Sequence, residues 1–147
     1  MKCSEIITLL EQEYGKEYAC DWDNVGLLAG RSTKEVKKIL LSLDATDEVV
    51  RMAAEGGYDM LITHHPMLFS AIKRVTDQNM NGRRLLELIH NDISYYAMHT
   101  NYDVLGMADL SADYLKLEER EVLSVTEETR DRCEGLGRVG MLPKQMS

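Results

Sequence analysis

At 147 residues, 44% of them hydrophobic and 29% charged, the chain is long enough to bury a core, and no apolar stretch reaches membrane-spanning length. A net charge of -8 without any Lys/Arg-rich run argues against a nucleic-acid-binding surface. Cys3, Cys20 and Cys133 are odd in number and form no CxxC pair, and the acidic, amphipathic N-terminus is unlike a signal peptide. Reduced thiols in a cytoplasmic protein are therefore expected.

Ser4 reads as the N-cap of a first helix, whose apolar face carries Ile6, Ile7, Leu9, Leu10 and Tyr14 and which ends at Gly15. A polar loop, Asp21-Trp22-Asp23-Asn24-Val25-Gly26, then runs into a short strand. Ile39 to Leu43 reads as a buried strand ending at Asp44, and a helix capped by Thr46 or Asp47 runs to Glu55 before Gly56-Gly57. Met60 to Thr63 is the next strand, and His64-His65-Pro66 leaves from its end. Asn81-Gly82 opens a helix with Leu85, Leu86, Leu88 and Ile89 inward, followed by a strand over Ser94 to Met98. A short helix over Asp109 to Leu115 and weaker strands over Glu121 to Thr126 and Arg138 to Leu142 complete the chain. With no internal repeat, low-complexity tract or linker, residues 1–147 are expected to be one α/β domain. Its sheet should be mostly parallel or mixed and flanked by helices.

Sites in such sheets form beyond the carboxyl ends of the strands. Asp44, His64-His65 and His99/Asp103 each follow a predicted strand, so three strands should deliver polar groups to one edge. Proline forces His65 into extended or turn geometry, and alternating side chains in extended backbone suit two neighbouring metal ions better than one. Neutral imidazole is the commonest protein ligand for transition metals. Asp103, beside the pair, reads as a ligand, whereas His99 is either a ligand or a hydrogen-bonding neighbour. A turn is the expected backbone for residues 100–102. Asp44 reads mainly as a helix cap, Asp23-Asn24 equally as pocket lining or turn, and Trp22 as packing. His90, near a helix C-terminus, reads as structural. The GxGxxG spacing of Gly135-Leu136-Gly137-Arg138-Val139-Gly140 has no following helix and is no dinucleotide fingerprint.

Together, Trp22-Asp23-Asn24-Val25-Gly26-Leu27-Leu28, Thr63-His64-His65-Pro66-Met67-Leu68-Phe69, His99-Thr100-Asn101-Tyr102-Asp103 and Gly135 to Gly140 resemble, in order, the N-terminal half of the GTP cyclohydrolase I type 2-like family, also described as NGG-interacting-factor-three-like. The resemblance runs from about Ser4 to Pro143. It implies an α/β lobe of a two-lobed fold, a dinuclear centre of divalent ions (zinc, iron or manganese), metal-dependent hydrolysis and a ring-like homo-oligomer, often a hexamer. By the same resemblance His64, His65 and Asp103 match metal ligands, and His99 matches a further histidine close by. Tyr102 stands where a smaller aliphatic residue is usual, and Val104 to Ala108 only loosely follows a Gly-rich turn. The family's remaining ligands lie on a later HxxxE segment that has no counterpart here, since no histidine follows His99. The expectation is therefore a truncated lobe with an incomplete site. A non-catalytic interaction module, or a fragment completed by another polypeptide that supplies the C-terminal half, is the alternative.

Overall fold

The computed structural model describes residues 1–144. Its centre is a four-stranded sheet in the order β1-β4-β3-β2, built from β1 (Gly26–Ala29), β2 (Ile39–Ser42), β3 (Met60–Thr63) and β4 (Ser94–Ala97). The β2, β3 and β4 strands run parallel, in a register that sets Ser42 beside Thr63 and Thr63 beside Ala97. On the opposite side of β4, β1 lies antiparallel, with a bulge between Leu27 and Ala29. The mixed sheet expected from the sequence is what forms.

The β3 and β4 strands are buried throughout, because helices cover both faces of the sheet. On one face, Leu61, Tyr95 and Ala97 pack with Val50 and Ala53 of α2 (Asp47–Glu55) and Leu88 of α3 (Met80–His90). On the other, Met60, Ile62 and Tyr96 pack with Val36 and with Cys3 of α1 (Cys3–Glu13). Period-2 alternation thus divides one apolar run between two cores.

The termini of the helices follow local chemistry. Thr46 Oγ1 accepts from the Val49 amide at 3.2 Å, and Asn79 Oδ1 from the Gly82 amide at 2.8 Å, so α3 starts slightly before Asn81. Gly82 is needed in that first turn: a Cβ there would meet the Thr76 carbonyl oxygen at 1.9 Å. Ser4 is not the cap of α1. Lys2 is held extended by a bridge to Glu35 and takes the cap position, so the helix begins two residues earlier, at Cys3, and Glu5 accepts from the Lys2 amide at 2.7 Å.

After β4 the chain does not turn, as expected for 100–102, but enters α4 (Thr100–Tyr102) at once. A π-helical turn over Asp103–Met107 follows, its last bond running from the Ala108 amide to the Asp103 carbonyl, and leads into α5 (Ala108–Leu115). The two weak strand predictions become a long antiparallel hairpin, β5 (Glu118–Glu128) and β6 (Cys133–Met141), separate from the main sheet and packed on the π-turn and α5. The GxGxxG spacing lies inside β6. Among the described residues, no helix is long and apolar enough to cross a membrane.

Candidate metal centre

Three parallel strands end at one edge, and the polar residues that follow them meet there. His64 and His65 follow β3, where the backbone bends, so their rings do not project to opposite sides as extended geometry would require. Their centroids lie 4.9 Å apart, and the His99 ring lies 5.1 Å from His64 and 5.5 Å from His65. Each of the three imidazoles offers a ligand nitrogen within 4.8 Å of the other two.

Each outer imidazole is backed by a carboxylate. His65 Nδ1 is 2.7 Å from Asp44 Oδ1 and His99 Nδ1 is 3.0 Å from Asp23 Oδ1. With Nδ1 donating to the carboxylate, the proton is placed there and the Nε2 lone pair is free to act as a ligand. Asp44 is thus no helix cap; Thr46 takes that role. Asp44 follows β2 at the height where His65 follows β3, and the parallel register sets the two side by side.

Asp23 is the better enclosed of the two, its side chain fully shielded from solvent at 0% exposure. It also accepts from the Asn24 amide at 2.8 Å, the Thr100 amide at 3.0 Å and the Thr100 hydroxyl at 2.5 Å. Burial pushes its carboxyl upward, but these bonds outweigh burial and hold it below the usual 3.8. Asp23 therefore stays ionised and fixes the His99 ring against the start of α4. Both alternatives drawn from the sequence are met: the Asp23 amide closes a turn on the Cys20 carbonyl at 2.9 Å, and its carboxylate lies beside the histidines.

His64 is the innermost imidazole. Burial pulls its pKa below 6.5, the neighbouring rings of His65 and His99 act in the same direction, and Asp103 opposes them. The ring is neutral near neutral pH, as a metal ligand must be. Its Nδ1 is buried and makes no hydrogen bond of full geometry among the described residues, with the Met98 backbone as the polar group beside the ring. Its Nε2 lies 3.4 Å from Asp103 Oδ1, on the first residue of the π-turn. The donor set of three imidazoles and an adjacent carboxylate fits zinc, iron or manganese.

Two supporting residues were not foreseen. The Tyr95 hydroxyl, at the buried end of β4, lies 2.9 Å from Thr63 Oγ1, accepts from the Met67 amide at 2.7 Å and lies 3.2 Å from the His65 carbonyl oxygen. It ties down the loop that carries the histidine pair, and burial raises its pKa. Thr100 also accepts from the Cys20 amide at 2.9 Å, joining the Trp22 loop to α4. Trp22 is not packed inside; it is 58% exposed, against Phe69 and His99 at the edge of the site. His90 is the last residue of α3 and is exposed.

A family model for Duf34/NIF3 (NGG1p interacting factor 3) matches residues 1–147. The chain belongs to this family. It is 36% identical over its whole length to a GTP cyclohydrolase 1 type 2 homolog of Clostridium perfringens, of which it covers 56%. It is 46% identical over 71% of its length to one from Staphylococcus aureus, of which it covers 28%. Among solved structures, reduced HcgD from Methanocaldococcus jannaschii is similar over 97% of this chain and 54% of its own, with a TM-score of 0.84 and 36% identity. A Bacillus cereus protein related to NIF3 is similar over 86% of this chain and 35% of its own, with a TM-score of 0.81 and 40% identity. The chain spans about half the length, or less, of these Duf34/NIF3 relatives.

Proposed function

We propose that this Duf34/NIF3 chain carries the imidazole arm of a dinuclear divalent-metal centre and belongs to a metal-dependent hydrolase; the names of its GTP cyclohydrolase 1 type 2 homolog relatives support the hydrolase part of this reading. One observation carries the reading: three imidazole nitrogens within 4.8 Å, two of the rings backed by carboxylates and the third held neutral by burial. His64, His65, His99 and Asp103 would hold the ions. Bound there, zinc, iron or manganese would supply Lewis acidity and activate water at neutral pH.

The chain's own residues prepare for this. Asp44 and Asp23 hold the Nδ1 protons of His65 and His99 and fix both ring planes. Burial keeps His64 uncharged. Tyr95 holds the His65 carbonyl and the Met67 amide, so the histidine loop is set before anything binds.

Metal analysis of purified protein tests the reading. The wild type should contain zinc, iron or manganese, and His64→Ala should lose it while retaining a native circular dichroism spectrum. Equal and negligible metal in both proteins would remove the basis for the proposal.

A second reading, assembly with further copies or with a complementing C-terminal half, is favoured by the edge strand β2. Leu41 is 72% exposed there, next to the exposed Ile39 and Leu43. Sedimentation velocity, alone and with a co-expressed C-terminal half of a relative, tests it; a monomer under both conditions counts against assembly.

A further inference from the structure

We propose that β2 is the two-fold interface of a homodimer, in which the strand pairs antiparallel with its own copy about Leu41 and each copy sets its Lys38 beside the other's Asp44. The proposal rests on the assembly reading above, to which it adds the partner and the register, and it requires no metal.

The two edge strands of the sheet differ. The bulge between Leu27 and Ala29 interrupts β1, a device that discourages further pairing. By contrast, β2 keeps an unbroken register against β3 from Ile39 to Ser42 and carries no proline. The Lys38 and Ser42 carbonyls accept from the Met60 and His64 amides, both at 3.3 Å. Alternate residues of such a ladder turn their backbone groups the other way, so Ile39 and Leu41 present N–H and C=O at the free edge. Their side chains share the face of Met60 and Ile62, their register partners, which are buried under α1. That helix does not reach over β2. Leu41 is left 72% exposed, beside an open groove of about 290 Å³ lined by Leu10, Tyr14, Ile62 and Met98.

The strand is complementary to itself. Antiparallel pairing about Leu41 opposes Ile39 to Leu43, Leu40 to Ser42 and Lys38 to Asp44 of the other copy. Leu41 then exchanges both backbone bonds with its counterpart, and the exposed apolar side chains form one strip across the joint. Moving the two-fold to Leu40 or to Ser42 would set Lys38 against Ser42 or Thr46, and the charge match would be lost. Lys38 Nζ donates to the Gly56 carbonyl at 2.6 Å, which leaves the ammonium donors to spare, and of the Asp44 oxygens only Oδ1 is engaged, by His65. Each copy thus brings a cation to the carboxylate that orients His65 in the other. Isologous pairing uses β2 of both copies and closes at two. A strand of four residues is about 13 Å long, so the contact falls short of the roughly 800 Å² per partner of a stable interface, and a micromolar dissociation constant is expected.

Sedimentation velocity of the intact chain over about 1–300 μM, in EDTA, tests the proposal through the concentration dependence of the dimer. Leu41→Lys, at an exposed position, should keep the native circular dichroism spectrum and weaken dimerisation at least about tenfold. Leu110→Lys, an exposed apolar position on α5, should leave it unchanged. Register is read by exchanging charges. Lys38→Glu opposes like charges in its own dimer, as does Asp44→Lys, so each variant alone should dimerise weakly. Mixed, the two place opposite charges at both ends of the joint and should pair at least about fivefold more tightly than either alone.

A monomer throughout the concentration range, a dimer unaffected by Leu41→Lys, a dimer lost in EDTA, or mixed variants no tighter than the separate ones would each overturn the proposal. A chain that is monomeric alone yet binds the co-expressed C-terminal half of a relative would also overturn it, while leaving the assembly reading standing. Dimerisation with the expected variant pattern in a protein that binds no metal would support it and remove the metal reading alone.

Discussion

Replacing Asp23 by Asn changes one atom and the charge, and the structure makes its cost calculable. The carboxylate accepts four hydrogen bonds: Oδ1 from the Asn24 amide and His99 Nδ1, Oδ2 from the Thr100 amide and hydroxyl. An asparagine has one acceptor oxygen and one NH2 donor. With NH2 in the Oδ2 position, it faces the Thr100 N–H, which then has no acceptor. With NH2 in the Oδ1 position, the Asn24 N–H is stranded, and His99 must turn its Nδ1 into an acceptor and carry its proton on Nε2. Either way one enclosed backbone donor is lost, at about 1–3 kcal/mol, and the remaining bonds lose their charge assistance, about 1 kcal/mol more. The expected loss is about 2–4 kcal/mol, or roughly 5–15 °C in Tm for a chain of this size. Thermal and urea unfolding followed by circular dichroism measures it, with the exposed neighbour Asp21→Asn as a control that should stay within about 0.5 kcal/mol. The sign with pH is also fixed. The Asp23 carboxyl is depressed below 3.8 in the folded chain, so its stabilisation is complete above that value and disappears as pH falls through the folded pKa. The gap between wild type and Asp23→Asn should therefore be full near neutrality and close in acid. A variant as stable as wild type near neutrality, or a gap that persists in strong acid, would refute the reasoning.

Two further substitutions separate positioning from packing. Asp44→Ala frees the His65 ring while both groups lie near the surface, so stability should change by less than about 0.5 kcal/mol whereas metal affinity falls about 10–100-fold, as read by competitive zinc titration. Tyr95→Phe removes the acceptor of the Met67 amide in a fully buried position; it should cost about 1–3 kcal/mol in urea unfolding and accelerate hydrogen exchange at Met67.

Much of the architecture is legible locally. The runs over Met60–Thr63 and Ser94–Ala97 carry no charge and are buried throughout, as central parallel strands are, and capping residues and glycines mark the helices between them. Where local reading failed, a distant partner had intervened. Ser4 has cap chemistry, but the bridge from Lys2 to Glu35 sets the start of α1. Asp44 has cap chemistry too, but β3 beside β2 sets His65 within reach of it. That pairing was open to inference, since in-register parallel strands set the residues beyond their ends side by side.

What the sequence by itself determined is the α/β alternation, the placement of His64-His65, Asp44 and His99-Asp103 after strand ends, and the family resemblance carried by four ordered motifs. Those are properties of short segments, set by period-2 and helical patterning and by proline after the histidine pair. Tertiary structure alone decided that β1 runs antiparallel, that the three imidazoles converge within 4.8 Å, and that Asp23 reaches His99 across 76 residues. The physical reason is that hydrogen-bond partners and ring orientations depend on which elements lie side by side, and burial of the two apolar faces of the sheet settles that for the whole chain at once.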